Sequence, residues 1–152
     1  MPSADYDGRL AAACHAARAW ALSHRSEYAL IYGSPVPGYR APEATVGPAS
    51  RFPLVLTGIV RDTWQAGAMA QPPADGPLTE GMLGRQLMEL AVMVAPGVPP
   101  GVLARAVVVW TQLFGMISFE LFGQFARTIE PADEFFEYAV EQTLRYLGLQ
   151  EA

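Results

Sequence analysis

Apolar residues return at spacings of three and four in several separate stretches of the chain, and each such stretch predicts a helix with one inward face. In the first, Tyr6, Leu10, Ala13, Ala17, Trp20 and His24 share a face. A break near His24 to Ser26, with Ser26 as N-cap, predicts a short second helix ending before Gly33. Ser50 is placed to cap a third, in which Leu56, Ile59, Val60, Thr63 and Trp64 point inward and Arg61, Asp62 and Gln65 outward. A fourth, capped by Thr79, carries the stripe Leu83, Leu87, Leu90, Ala91 and Val94. The fifth starts near Pro99 or Pro100 and is expected to run to about Ala126. A sixth, capped by Asp133 and stopped by Gly148, presents Phe136, Ala139, Val140, Thr143, Leu144 and Leu147 on one side.

The thirteen prolines fall between these stretches or in their first turns, where proline is accepted. No segment alternates with period two long enough to read as a strand, so the pattern predicts an all-α fold of about six helices in a single domain spanning residues 1–152. Residues 33–47, "GSPVPGYRAPEATVG", lack an apolar period and read as a loop or lid.

The fifth helix has two apolar stripes. Trp110, Leu113, Phe114, Ile117 and Leu121 lie on one side, and Gly115, Ser118, Phe119, Phe122 and Ala126 on another. A helix apolar on two sides needs two covers, the chain's own core and a neighbour such as the last helix or a twin chain. The sixth helix has a surplus set of its own in Phe135, Tyr138, Ala139, Gln142 and Tyr146. Two adjacent helices with spare apolar faces suit a two-fold four-helix interface.

Composition points the same way. Apolar residues make up 51% and charged residues only 16% of the chain, against roughly 25% charged in an average domain. So greasy a chain is expected to share surface with a partner. The net charge of -5 argues against the chain itself gripping nucleic acid. One cysteine, Cys14, excludes an internal disulfide, and "MPSADYDGRL" has no signal-peptide pattern, so a cytoplasmic protein is expected. Between Arg105 and Glu120 lie fourteen uncharged residues, short of a bilayer span, so the fifth helix reads as a buried helix of a soluble protein and no membrane partner is expected.

Candidate chemistry is sparse. Cys14 and His15 are adjacent and point in different directions on a helix, and nothing else stands at metal-ligand spacing, so no metal and no cofactor is expected. There is no phosphate-cradling glycine loop and no nucleophile elbow. The aromatic and methionine supply instead suits an apolar small-molecule cavity, with Trp20, Tyr32, Trp64, Met88, Trp110 and Phe114 as convergent residues, His24 at the rim and Ile117 on the same stripe. Plain core packing is the alternative for each. Glu120 reads as a surface-edge carboxylate or an interface hydrogen-bond acceptor, with catalysis or ligand recognition as the alternative.

The segments "AARAWALSHRSEYALIYGSPVPGYRAP", "RFPLVL", "WTQLFGMISFELFGQF" and "EFFEYAVEQTLRYLGL", in this order, are similar to the C-terminal regulatory domain of TetR-family transcriptional regulators, in the subgroup called WHG or TetR C-terminal-like. Trp110 and Gly115 match the subgroup's W-x3-[HF]-G pattern, and Phe114 stands where its usual His would be. The resemblance implies a helical bundle whose last two long helices build a homodimer while the earlier ones enclose an effector cavity. It also implies that operator DNA is read only through a separate helix-turn-helix domain. No basic helix-turn-helix pattern precedes Tyr6, so the chain is expected to be a piece of a longer bacterial regulator, or a regulatory domain standing alone.

The function expected is that of a regulatory, effector-binding and dimerising domain of a repressor, not an enzyme. Two rivals stay open. A small helical carrier or enzyme using the same cavity would need a polar cluster, such as His24, Arg61 and Glu120, within hydrogen-bond reach. A pure dimerisation module would have a filled core.

Overall fold

A computed structural model describes residues 4–33, 38, 47, 50–70 and 81–149. Six helices of length occur among them: α1 (Tyr6–Ser23), α2 (Arg25–Tyr32), α3 (Arg51–Gln65), α4 (Met82–Val94), α5 (Pro100–Leu121) and α6 (Ala132–Leu147), and no strand occurs among the described residues. The expected loop at 33–47 and the Thr79 cap fall almost wholly outside the described residues.

α5 is the central helix and packs against α1, α3, α4 and α6. Its buried Val102, Leu103, Ala106, Val109, Leu113 and Ile117 meet Leu56, Ile59 and Val60 of α3, Leu87 and Ala91 of α4, and Phe136, Val140, Leu144 and Leu147 of α6 in one core. α5 is long and apolar enough to cross a membrane. In this fold, however, the charges near its two ends face protein partners: Arg105 donates to the Tyr146 carbonyl oxygen, and Glu120 accepts from Arg18.

Several expected boundaries and faces move. α5 ends at Leu121, not near Ala126, because Gly123 takes a left-handed φ of 79°. The Gly123 amide then donates to the Glu120 carbonyl and the Gln124 amide to the Phe119 carbonyl, the paired reverse bonds that close a helix at glycine. Gly148 ends α6 in the same way, with Leu149 donating to Leu144, and its carbonyl accepts from Ala70 at 2.8 Å.

Ser26 is not the cap of α2. The chain leaves the helix for one residue only, His24, whose carbonyl already accepts from Tyr28, so the cap lies two residues earlier than expected. Asp133 is not the cap of α6 either; Pro131 holds that position, and Asp133 sits in the first turn, where the helix dipole favours an acid. The inward face of α1 is rotated from the expected one: Leu10, Cys14 and Ala21 are buried while Trp20 is exposed. On α4 the stripe centres on Gly84, Leu87 and Ala91, and Leu83 faces outward.

Candidate functional site

α2 is short, and what holds it is Tyr28, a fully buried phenol pressed onto α5. Its hydroxyl donates to the Phe114 carbonyl oxygen at 3.0 Å and lies 2.8 Å from the Ser118 hydroxyl. A buried hydroxyl without such partners would be costly, so the two bonds fix where α2 sits.

Around Tyr28 the rings gather. Tyr32 lies 4.9 Å from it, Phe114 is parallel to it at 6.3 Å, Phe122 is at 6.4 Å and Trp20 at 6.5 Å. Tyr32 and Phe114 approach to 4.5 Å, and Phe52 meets Phe114 edge-on at 5.1 Å. Desolvation raises the pKa of both phenols, with Tyr28 adding to the shift at Tyr32, so both stay neutral at physiological pH. With phenylalanine at position 114, the centre of the cluster has no group that titrates near neutrality.

Of the residues expected to line an effector cavity, Tyr32 and Phe114 are in direct ring contact, and Trp20 adjoins Tyr28 while stacking on His24 at 5.5 Å. Ile117 is buried in the core, and Trp110 is half-buried one turn before Phe114. Trp64 and Met88 are not part of the cluster. Trp64 is twelve residues from Phe52 along α3, roughly 18 Å away. Met88 is exposed on α4. Tyr28 and Phe52, absent from the expected set, are central here. Their only signal was local: the Tyr28/Tyr32 spacing of four within "RSEYALIY", and the aromatic of "RFPLVL" in the first turn of α3.

The second expected surface adjoins the first. Phe119, Phe122 and Tyr138 are 52%, 48% and 58% exposed, and Gly115 and Ala126 are also exposed. Phe135 is half-buried beneath Phe125, which in turn meets Phe119, so three rings bridge the end of α5 and the start of α6. Gln142 is half-buried. Ser118 spends its hydroxyl on Tyr28 inside the subunit. At Gly115 an added Cβ would meet nothing within 4 Å, so none of the described residues uses the space the glycine leaves.

A polar junction ties these surfaces to α1. Arg18 forks onto Glu120 with bonds of 2.8 and 2.7 Å and sends a third bond of 2.6 Å to Asp133. Its guanidinium lies 4.8 Å over the Phe136 ring. The Arg18 and Glu120 side chains are only 12% and 16% exposed, so this forked pair is shielded from screening. Asp133 is largely in water and adds little by itself.

The polar groups of the rival enzyme reading do not meet. Glu120 is held by Arg18, Arg61 forks onto Asp62, and His24 lies against Ser23 and Trp20. Arg61 and then Arg9 lower the pKa of Asp62. Beside that group, α1 and α3 leave a shallow open groove lined by Ala12, Leu54, Val55, Gly58 and Ile59. Among the described residues no three metal-ligating side chains cluster. Burial pushes the Cys14 thiol up to about 11, so it is a core residue and a poor nucleophile.

Residues 10–143 match the family described as the tetracyclin repressor-like C-terminal domain. The chain is 33% identical over 119 residues to the HTH-type transcriptional regulators Mb1846 of Mycobacterium bovis and Rv1816 of Mycobacterium tuberculosis, an alignment covering 75% of this chain and 48% of each regulator. It therefore spans about half the length of the curated relatives it matches. The crystal structure of the regulatory protein SCO4313 superimposes with a TM-score of 0.64 at 27% identity, over 93% of this chain and 69% of that one.

Proposed function

This chain belongs to the tetracyclin repressor-like C-terminal domain family of transcriptional regulators, and on that premise we propose that it is an effector-sensing and homodimerising domain acting in the cytoplasm. The effector class is a small, neutral, apolar and preferably aromatic molecule, bound against the rings of Tyr28, Tyr32, Phe52 and Phe114. The twin chain covers Phe119, Phe122, Tyr138 and Gly115. Operator DNA is read by a helix-turn-helix domain acting with this one, and the regulator is a repressor.

The observation that carries the reading is the shared use of the C-terminal half of α5. Phe114 and Ser118 bind the Tyr28 helix, while Phe119 and Phe122, within two turns, remain about half open to solvent. An effector can shift a dimer between two arrangements only by binding one of them more tightly, and a helix common to both surfaces is where such a difference can arise.

Trp20, beside Tyr28, reports on the site. Titrating naphthalene, indole and biphenyl should shift Trp20 emission in a Trp64→Phe, Trp110→Phe background and raise the melting temperature. Sedimentation of the wild type at tens of micromolar should show a dimer. Unchanged emission and melting with all three probes would sink the sensor reading, and a monomer would sink the dimer.

A further inference from the structure

Arg18 has no counterpart in the effector or dimer surfaces, yet it touches the helices that carry both. It stands on α1, roughly on the opposite side of the helix from Trp20 and six residues before the one-residue break at His24 that leads into α2. Its fork closes on Glu120 in the last turn of α5, and its third bond reaches Asp133 in the first turn of α6, 115 residues away. Between those two acids the chain reverses through Gly123 and Arg127, both left-handed. The reversal carries Phe122 and Phe125, and Phe119 precedes it by one turn.

Only a planar five-donor cation can satisfy both oxygens of one carboxylate and still reach a second acid, so the position is specific for arginine and not for positive charge alone. The Tyr28 hydroxyl also joins the α1–α2 unit to α5, at Phe114 and Ser118, and that point does not touch α6. Arg18 alone among these contacts meets α1, α5 and α6 together.

We propose that Arg18 is the coupling residue of the domain: movement of the α1–α2 unit at the Tyr28–Tyr32 rings is passed by the Arg18 fork to the Glu120–Asp133 turn, and so to the Phe119, Phe122 and Phe135 surface. The inference rests on the effector and dimer reading above and assigns the physical link between its two surfaces. A transmitting element needs two arrangements, here the fork closed on both acids, as in the structure, and the fork released from one, which the proposal requires.

A double-mutant cycle on the dimerisation constant, read by sedimentation with melting curves alongside, tests it. Tyr32→Ala loosens the rings, including the contact with Phe114 on α5, without removing any contact of Arg18 or α6. It should change the dimer dissociation constant about tenfold when Arg18 is present and less than about twofold in an Arg18→Met background. If Arg18→Met does not fold, Arg18→Lys and Glu120→Gln keep the bulk and remove the fork, and should suppress the Tyr32 effect in the same direction. An Arg18 that only stabilises the fold would lower melting but leave the Tyr32 factor equal in both backgrounds, which would overturn the coupling and leave the dimer standing. No response of the dimer to Tyr32→Ala would also overturn it. A monomeric wild type would sink the dimer reading itself and the coupling with it.

Discussion

Tyr28 on α2 donates to the backbone carbonyl of Phe114 on α5, a 3.0 Å bond that joins positions 86 residues apart. That carbonyl lies inside a continuous helix, so the phenol is an additional partner for it. Tyr28→Phe keeps the ring and removes the hydroxyl, leaving the half-buried Ser118 hydroxyl without its 2.8 Å contact. The expected loss is about 1 kcal/mol. In a domain of this size that lowers the melting temperature by about 2–4 °C, measurable by circular dichroism. An unchanged melting curve would mean that the bond contributes nothing net.

The helices were legible because proline, glycine and apolar spacing are local signals. Gly33 and Gly148 end their helices where the pattern placed them. Gly123 carries the same signal, but the apolar run through Phe122 and Phe125 continues past it, so periodicity overrode a terminator that the backbone obeys. Apolar spacing misplaces the face of α1 because alanine surrounds that helix and gives little contrast between its sides. Arg18 was invisible for another reason: its partners are 102 and 115 positions away, and no local pattern records them. At the candidate site, Tyr32 and Phe114 followed from aromatic content and spacing, whereas Tyr28 and Phe52 required knowing how α2 and α3 lie across α5.

Three glycines should respond with different signs. Gly123→Ala forces a side chain into a left-handed residue and is expected to cost about 1 kcal/mol. Gly148→Ala adds a clash to the same strain, since its Cβ would stand 3.0 Å from the Ala70 carbonyl oxygen, and should melt lower still. Gly58 lies inside α3 with nothing within 4 Å of an added Cβ, so Gly58→Ala should raise stability by up to about 1 kcal/mol. Melting temperatures ordered otherwise would contradict the conformations assigned to these positions.

Acid should weaken the fold partly through Asp62. Arg61, then Arg9, hold its carboxyl below the ordinary value of 3.8, so the native state keeps this charge to lower pH than the unfolded chain does. The contribution is complete above that value and is lost as pH falls through it toward the depressed native value. Asp7, raised by burial and then by Asp5, has the opposite sign: its ionisation disfavours the native state above its folded pKa, and that penalty relaxes on acidification. Urea unfolding of the wild type and Asp62→Asn should therefore differ at pH 6 and converge toward pH 3. A difference independent of pH would exclude the ionised Asp62 as its source.

Cys14 should be silent toward thiol reagents in the native protein. Only 2% exposed, with its pKa pushed up to about 11, it offers little thiolate and no access at pH 8. Reaction with Ellman's reagent is expected to be complete in denaturant and slow without it, at a rate set by opening of the α1 packing. Fast reaction under native conditions would show that α1 leaves the core readily.

Gly115 separates what the single chain needs from what an assembly needs. In the chain alone its Cβ would meet nothing within 4 Å, so Gly115→Ala should stabilise the monomer, by up to about 1 kcal/mol, at concentrations low enough to keep it monomeric. If a twin α5 packs closely over this surface, the added methyl overfills the contact, and association should weaken by an amount on the order of 1 kcal/mol or more, roughly tenfold in the dissociation constant. Tyr138→Arg, on the exposed side of α6, should weaken association without the gain in monomer stability. Opposite signs for Gly115→Ala in the two measurements would place the close approach at this glycine. A substitution that stabilises the monomer and leaves association unchanged would remove Gly115 from the interface, and the exposed Phe119 and Tyr138 would then need a different cover.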